Sequence, residues 1–341
     1  MTDSRNATDA NSRHDVVAIG NAIVDIIGRC DDAFLTRHDC AKGNMALVDA
    51  ETINRLYGDM GPGIEASGGS AANTMVGAAS FGSATGFIGK VAQDDFGRVF
   101  AHDLNAANVT FNTAPAGEGS APTARSLVLV TPDGERTMNT FLGVSPELDH
   151  GEVDAAMIEN AAILYLEGYL FDRPEAKAAF RNAARIAAGA NTRVALTLSD
   201  GFCVDRHRAE FLALIRDGVN ILFANEEEII ALYETGSFES AVDMIRQDTR
   251  LAALTRGAKG SLILAEGRAY EVPVEEVDRV VDTTGAGDLY AAGVLHAIAK
   301  GCDYPIMGRL GSIAAAEIIS HIGARPQAKL TELAKSRGIN I

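Results

Sequence analysis

Cysteine is scarce in this chain, and its four thiols, Cys30, Cys40, Cys203 and Cys302, form no C-x-x-C pair. Neither a zinc site nor a disulfide framework is expected, and reduced thiols in a cytoplasmic setting are the default. The seven histidines fall at no metal-ligand spacing. Aromatic residues make up only 6% of the chain and are dispersed, so pattern alone marks no base-stacking cluster. Basic residues are outnumbered, 30 Lys and Arg against 46 Asp and Glu, for a formal net charge of -16 without any Lys/Arg cluster. Nucleic acid and anionic membrane are therefore not expected partners. No apolar run is long enough to span a bilayer. Residues 1–14 lack the apolar core of a signal peptide and read as a disordered tail.

What remains is an ordinary globular composition over 341 residues, 47% hydrophobic and 22% charged, enough for an ample core. Val16 to Ile19 is a short apolar run of the buried-strand kind. Ser70 to Phe81 and Asp94 to Ala107 read as helices around a strand at Thr85 to Ile88. After Ser145 strands and helices alternate. Strands are expected at Ile163–Leu166, Val194–Leu198, Ile221–Phe223 and Leu251–Leu254. Helices are expected at Pro174–Ala188, Asp205–Asp217, Glu226–Tyr233 and Phe238–Gln247, with a helical C-terminal part. This predicts an α/β fold with a mostly parallel sheet covered by helices on both faces. Two stretches, about 26–48 and 111–142, break the pattern. Arg125 to Val130 and Glu135 to Phe141 flank Pro132-Asp133-Gly134, a strong hairpin signal. Both stretches are expected to pair outside the main sheet as a small lid on one domain, 15–341.

The densest chemical signal is Asp282-Thr283-Thr284-Gly285-Ala286-Gly287-Asp288, leading into a helical run. A helix start exposes N–H groups and partial positive charge, and Gly285, Ala286 and Gly287 let an anion come close. Asp288 in that first turn suits a base that takes a proton from a hydroxyl attacking phosphorus. In so acidic a protein, phosphate would need such local positive sources, a few placed basic residues or a divalent metal.

Other segments read two ways when taken singly. Ser67-Gly68-Gly69-Ser70-Ala71-Ala72-Asn73 is either a tight turn with Ser70 as helix cap, or a sugar-binding loop with Asn73 as donor and acceptor. Asp25, past the first strand in Gly20-Asn21-Ala22-Ile23-Val24-Asp25, is a surface carboxylate or the acceptor for a diol. Asn225-Glu226-Glu227-Glu228 complements a helix dipole or organises Mg²⁺. Thr255-Arg256-Gly257-Ala258-Lys259-Gly260-Ser261 is a plain turn or a nucleotide-phosphate loop, though not of the Walker A order. Arg136, in the hairpin, is a solvated arginine or a phosphoryl clamp. All of these fall after strands or on the lid, where a ligand crevice forms, and this joint placement favours the functional readings.

On these motifs the chain resembles the ribokinase-like (PfkB) carbohydrate and nucleoside kinase family, from Asp15 to about Pro326. The late D-T-x-G-A-G-D motif matches Asp282 to Asp288 in full, G-G-x-x-x-N matches Gly68, Gly69 and Asn73, and N-x-x-E matches Asn225 and Glu228. The first-strand pattern G-N-x-x-x-D, with Asn21 and Asp25, looks like that of adenosine kinases.

The resemblance implies roles for these positions. Asp288 would be the base, and Gly285, Ala286 and Gly287 the anion hole. Asp25, Gly68, Gly69 and Asn73 would hold ribose hydroxyls, with Asn21 beside the nucleoside and Arg136 facing the phosphates. Asn225 and Glu228 would organise Mg²⁺ through water, and Thr255, Gly257 and Gly260 would line the nucleotide loop. Asp282 and Thr284 would lie at a K⁺ site. The activity implied is ATP-dependent phosphorylation of the adenosine 5′-hydroxyl, by a monomer or homodimer. A sugar kinase of the same family and a non-catalytic nucleoside- or sugar-binding protein are the alternatives. A nicotinamide dehydrogenase is disfavoured because the first strand does not end in G-x-G-x-x-G.

Overall fold

The computed structural model describes residues 13–340. The expected tail falls largely on residues outside that range, but it does not extend to His14, which already opens the first strand. The strands, in chain order, begin with β1 (His14–Ile19), β2 (Ile23–Arg29), β3 (Met45–Leu47), β4 (Gly63–Gly68) and β5 (Thr85–Ile88). They continue with β6 (Val109–Phe111), β7 (Ala124–Val130), β8 (Arg136–Phe141), β9 (Ala161–Glu167) and β10 (Arg193–Thr197). The last are β11 (Ile221–Asn225), β12 (Leu251–Thr255), β13 (Ser261–Ala265) and β14 (Arg268–Val272). The helices are α1 (Asp32–Arg37), α2 (Ala50–Asp59), α3 (Ser70–Ser80), α4 (Asp95–Ala106), α5 (Ala155–Glu159) and α6 (Pro174–Ala190). They end with α7 (Gly201–Gly218), α8 (Glu226–Tyr233), α9 (Phe238–Asp248), α10 (Ala286–Ala299), α11 (Tyr304–Ile319) and α12 (Leu330–Ser336).

Nine strands form the large sheet in the order β14-β13-β12-β11-β10-β9-β1-β5-β6. Its β1, β5, β6 and β9 to β12 run parallel. A strand buried on both faces must be apolar at every position, and β1 shows why. Val16 and Ala18 enter the core shared with α3, α10 and α11, while Val17 and Ile19 enter the core shared with α6 to α9. Two antiparallel strands, β13 and β14, extend the edge beyond the expected alternation. Their two-residue turn, Glu266-Gly267, has φ of 52° and 72°, the left-handed pair that a tight hairpin requires.

Helix α10 is apolar all round, buried from Leu289 to Ile298, and packs between α3 and α11. Its Gly293 meets the backbone of Leu310 so closely that a Cβ would lie 2.4 Å from the Leu310 carbonyl oxygen.

A second sheet of five strands, β3-β8-β7-β2-β4, stands apart from the first. It differs from the sequence expectation in its parts. Its strands start at Ile23, Phe111 belongs to the large sheet, and 26–48 contains α1 besides strand. The edge strand β4 was not expected at all, because Gly-Ile-Glu-Ala-Ser-Gly has too few apolar residues to signal a strand.

The two faces of this sheet differ mainly at its edge strands, since both are buried over β7. Val24 and Ile26 of β2 and Leu127 and Leu129 of β7 are fully buried, as are Ile53 and Leu56 of α2, which packs on β7 and β8. The opposite face carries Met45 and Leu47, Met138 and Thr140, Val128 and Ser126, Ile27 and Asp25, and Ile64 and Ala66 in register. This face turns toward the large sheet. Arg136, two residues before Met138, bonds Thr284, and Ile27 comes against the Gly323 loop.

Candidate active site

The C-terminal ends of β1, β9, β10, β11 and β12 share one edge, the place where open parallel sheets bind ligands. Asp288 sits there in the first turn of α10. Its Oδ1 accepts from the Ser70 hydroxyl at 2.6 Å and its Oδ2 from Asn73 Nδ2 at 3.0 Å. Burial pushes its carboxyl above the usual range, against those two bonds and the charge of Arg325. The side chain is thus oriented by α3 and open to the crevice on one side. Gly285 caps α10 with φ of 79°, a left-handed conformation that glycine adopts at little cost. The N–H groups of the first turn have no carbonyl of α10 itself to meet. Of these, Ala286 N–H is taken by the Thr283 carbonyl at 3.2 Å, so an anion at this helix start would be met by the flanking glycines rather than by Ala286.

The acceptor side is built on the β4–α3 turn. Gly69, not Ser70, caps α3, with φ of 91°, and a Cβ there would lie 2.2 Å from the Asn21 carbonyl oxygen. Asp25 packs directly on Gly68, where an added Cβ would fall 2.3 Å from its Oδ2. Burial pushes the Asp25 carboxyl up to about 6, partly offset by Arg325 and Arg136. Asn73 gives its amide hydrogen to Asp288 while its Oδ1 is buried with no hydrogen-bond partner among the described residues. An orphaned buried acceptor beside two carboxylates suits a ligand hydroxyl.

Asn21 does not face the crevice. Its Nδ2 donates to Glu167 at 2.9 Å, its Oδ1 accepts from Ser145 at 3.0 Å, and only 2% of it is exposed. It acts one layer behind the ligand, fixing the turn.

Arg136 reaches from β8 across to the large sheet. Its Nη1 pairs with Asp282 at 2.7 Å and bonds Thr284 at 3.1 Å, while Nη2 is buried without a partner among the described residues. That free donor fits a phosphate oxygen. Asp282 also accepts from the Thr284 and Gly323 N–H groups, at 3.0 Å each. With all these donors on it, this carboxylate does not fit a K⁺ ligand while Arg136 is docked.

On the nucleotide side, Asn225 and Glu228 form a reciprocal capping box. Glu228 accepts from the Asn225 N–H and Nδ2 at 3.0 and 2.6 Å, and the Asn225 side chain accepts from the Glu228 N–H at 2.8 Å. Burial pushes the Glu228 carboxyl up to about 7. No group of three or more His, Cys, Asp or Glu fit to hold a metal occurs among the described residues. Both Glu228 oxygens are engaged by Asn225, so Mg²⁺ brought in by ATP would be held chiefly by phosphate oxygens and its own waters, with Glu228 and Asn225 the residues that would organise those waters. Thr255 ends β12 opposite Asn225, and Gly257 and Gly260, with φ of 55° and 86°, shape the following turn. Arg256 and Lys259 both pair with Glu226, which ties this loop to the start of α8.

A family model described as pfkB family carbohydrate kinase matches residues 64–330. The chain belongs to the pfkB family of carbohydrate kinases. It is a phosphotransferase with a hydroxyl acceptor, and ATP is the co-substrate that this family implies. The solved structure of an adenosine kinase from Sinorhizobium meliloti is 47% identical, with a TM-score of 0.89 over 96% of this chain and 100% of that one. A probable sugar kinase from Rhizobium etli CFN 42 is equally similar, 47% identical with a TM-score of 0.89 over 96% and 99%. A probable chloroplastic fructokinase-6 of Arabidopsis thaliana is 32% identical over 69% of this chain, which spans 63% of that protein's length. No helix among the described residues is long and apolar enough to cross a membrane.

Two further residues of this pfkB site escaped the sequence reading. Glu167, 1% exposed at the end of β9, accepts from Asn21 N–H and Nδ2 and from Ala71 N–H at 2.8 to 3.2 Å, and burial pushes it up to about 7. Its signal was available: an acid directly after an apolar strand, the same cue that marked Asp25. The other, Arg325, lies in a loop after α11, and nothing in its local sequence points back to Ser67.

The titration of Asp25 has a direct consequence. A diol bound by ionised Asp25 would be held only above its pKa, so binding would weaken as pH falls. The expected result is a kcat/KM that drops on the acid side with an apparent pKa near 6. A profile that stays flat down to about pH 5 would count against this role.

Proposed function

We propose that this kinase phosphorylates the 5′-hydroxyl of adenosine, giving AMP and ADP, a step of purine salvage. The observation that carries the reading is the lid face bearing Asp25. Beyond that carboxylate it offers Ile27, Met138, Met45, Leu47 and Ile64, the last three 50%, 57% and 73% exposed, around a buried Val128. A purine ring has two apolar faces to cover such a surface, while a free sugar presents hydroxyls that it would leave without partners. The likeness to an adenosine kinase at 47% identity supports the same substrate.

The steps follow from the residues. Asp25 accepts from the ribose diol and Asn73 Oδ1 from a neighbouring hydroxyl, which brings the 5′-oxygen to Asp288. Asp288, held by Ser70 and Asn73, takes the hydroxyl proton as the new O–P bond forms and the bond to the ADP oxygen breaks. First-turn N–H groups of α10 and the free Nη2 of Arg136 take the charge on the transferring oxygens. Mg²⁺ bound with ATP would neutralise the phosphates, with Asn225 and Glu228 the residues that would organise its waters. The five-stranded sheet excludes water that would otherwise hydrolyse ATP.

A coupled ADP-release assay with ATP and Mg²⁺ tests the substrate. It compares adenosine, inosine, guanosine, ribose and fructose at matched concentrations, with the product identified by chromatography. Selective conversion of adenosine to AMP is the expected result. Preference for fructose or ribose overturns the adenosine reading in favour of a sugar kinase, the reading that the Rhizobium etli and Arabidopsis thaliana relatives favour.

A further inference from the structure

Arg325 enters the acceptor floor from the far end of the chain. Its Nε donates to the Ser67 carbonyl at 2.9 Å, its Nη1 to the Ala72 carbonyl at 2.9 Å, and its Nη2 to the Ser67 hydroxyl at 3.0 Å. Ser67 precedes the Gly68–Gly69 turn and Ala72 follows it in α3, so one guanidinium grips both sides of the turn on which Asp25 rests. Ser67 is fixed from a third direction, since its N–H donates to Asp103 Oδ2 of α4 at 2.9 Å.

All three arginine bonds end on uncharged oxygens, so its positive charge acts through space on the carboxylates around it. Those are Asp25 from β2, Asp103 from α4 and Asp288 from α10. Arg136 of the lid faces Asp25 as well, and Glu167 at the end of β9 faces Asp288. Two carboxylates in one crevice raise each other's proton affinity, and a carboxyl that already holds a proton cannot act as a base.

We propose that Arg325 is a positioning residue for phosphoryl transfer, holding the Gly68–Gly69 turn under the acceptor and balancing the negative charge of Asp25 and Asp288. This rests on reading Asp288 as the base and Asp25 as the ligand of the acceptor diol. An arginine suits the task because its planar fork meets three fixed oxygens while remaining charged, which an ammonium cannot do as well.

The test uses the full-length enzyme with whichever acceptor it turns over best. Arg325→Gln removes the charge and keeps an amide donor for Ser67, and Arg325→Lys keeps the charge and loses the fork. The pH profiles of kcat and kcat/KM are compared with wild type from about pH 5 to 9, alongside Tm. Removing a cation raises the carboxyl pKa values, so the acid limb of Arg325→Gln moves to higher pH, by on the order of one unit. Arg325→Lys returns the limb close to its wild-type place but with a raised KM. If both variants lose activity only in step with Tm and the limb does not move, Arg325 is a structural tie and the proposal fails. Asp288→Asn, measured in parallel, separates the two levels. Inactive Asp288→Asn with an unmoved limb in Arg325→Gln sinks the proposal alone. Active Asp288→Asn sinks the underlying reading, and the proposal with it.

Discussion

Asp288→Asn is expected to lower kcat by on the order of 10²–10⁴-fold or more while leaving the KM for ATP close to wild type. The amide nearly matches the carboxylate in shape, so α10 still begins at Ala286 and its N–H groups still face the anion. What is lost is the acceptor of the hydroxyl proton, needed only as the O–P bond forms. Stability moves the other way. The Asp288 carboxyl is raised by burial, so its ionised form is less favourable in the folded chain than in the unfolded one. That cost is present at pH 8, shrinks as the pH falls through the raised pKa, and is gone below the unfolded value. Tm at pH 8 is therefore expected to equal or exceed that of wild type. Steady-state kinetics with a thermal melt on the same sample checks both halves. Near-normal turnover in a folded variant would remove Asp288 from the mechanism.

Asp25→Ala is expected to strike acceptor use instead. A carboxylate that accepts from both hydroxyls of a diol makes two charge-assisted hydrogen bonds, each about 1.5–3 kcal/mol. Losing both lowers kcat/KM for the acceptor by on the order of 10²–10⁴-fold, at about 1.4 kcal/mol per decade. ATP binding at the other end of the crevice should change little. The sharper check compares an acceptor that has the diol with its 2′-deoxy counterpart. Wild type should discriminate strongly between them, and Asp25→Ala should hardly discriminate at all, because the residue that sees the missing hydroxyl is gone. If the variant keeps the wild-type preference, another group reads the diol. Stability again separates function from folding, since the Asp25 carboxyl, raised to about 6, is ionised at pH 8 against its burial.

Much of the architecture was legible in local pattern. Val16 to Ile19, apolar at every position, suits a strand buried on both faces, and alternate residues do enter two different cores. The Pro132-Asp133-Gly134 turn joins β7 to β8 as expected. Helix α10 begins at Ala286 because two glycines and an aspartate leave its first turn open. The lid was legible only in outline. Strand β4 is exposed over its first half and offers only Ile64 and Ala66 as an apolar alternation, and α1 and α2 are short helices that owe their place to packing on the sheet.

Side-chain roles divided along a similar line. The place of each motif within a few residues of a strand end could be read from the chain, because a helix start or a turn reports on its own neighbours. Asn21 shows where that stops. Its type and place in the sequence suggested contact with the ligand, but Glu167, 146 residues away, turns its amide inward. Arg136 was placed on the lid, and only the tertiary structure pairs it with Asp282 and leaves its Nη2 free.

Local signals were enough for the α/β class, the crevice edge and the place of an aspartate in the first turn of α10, since these follow from periodicity, turn chemistry and helix-end electrostatics. Tertiary structure alone decided which carboxylates share a cation, which face of the lid looks inward, and that Arg325 holds a turn 258 residues away. Those depend on where remote segments meet, and a side chain carries no local mark of a partner that only the fold brings near.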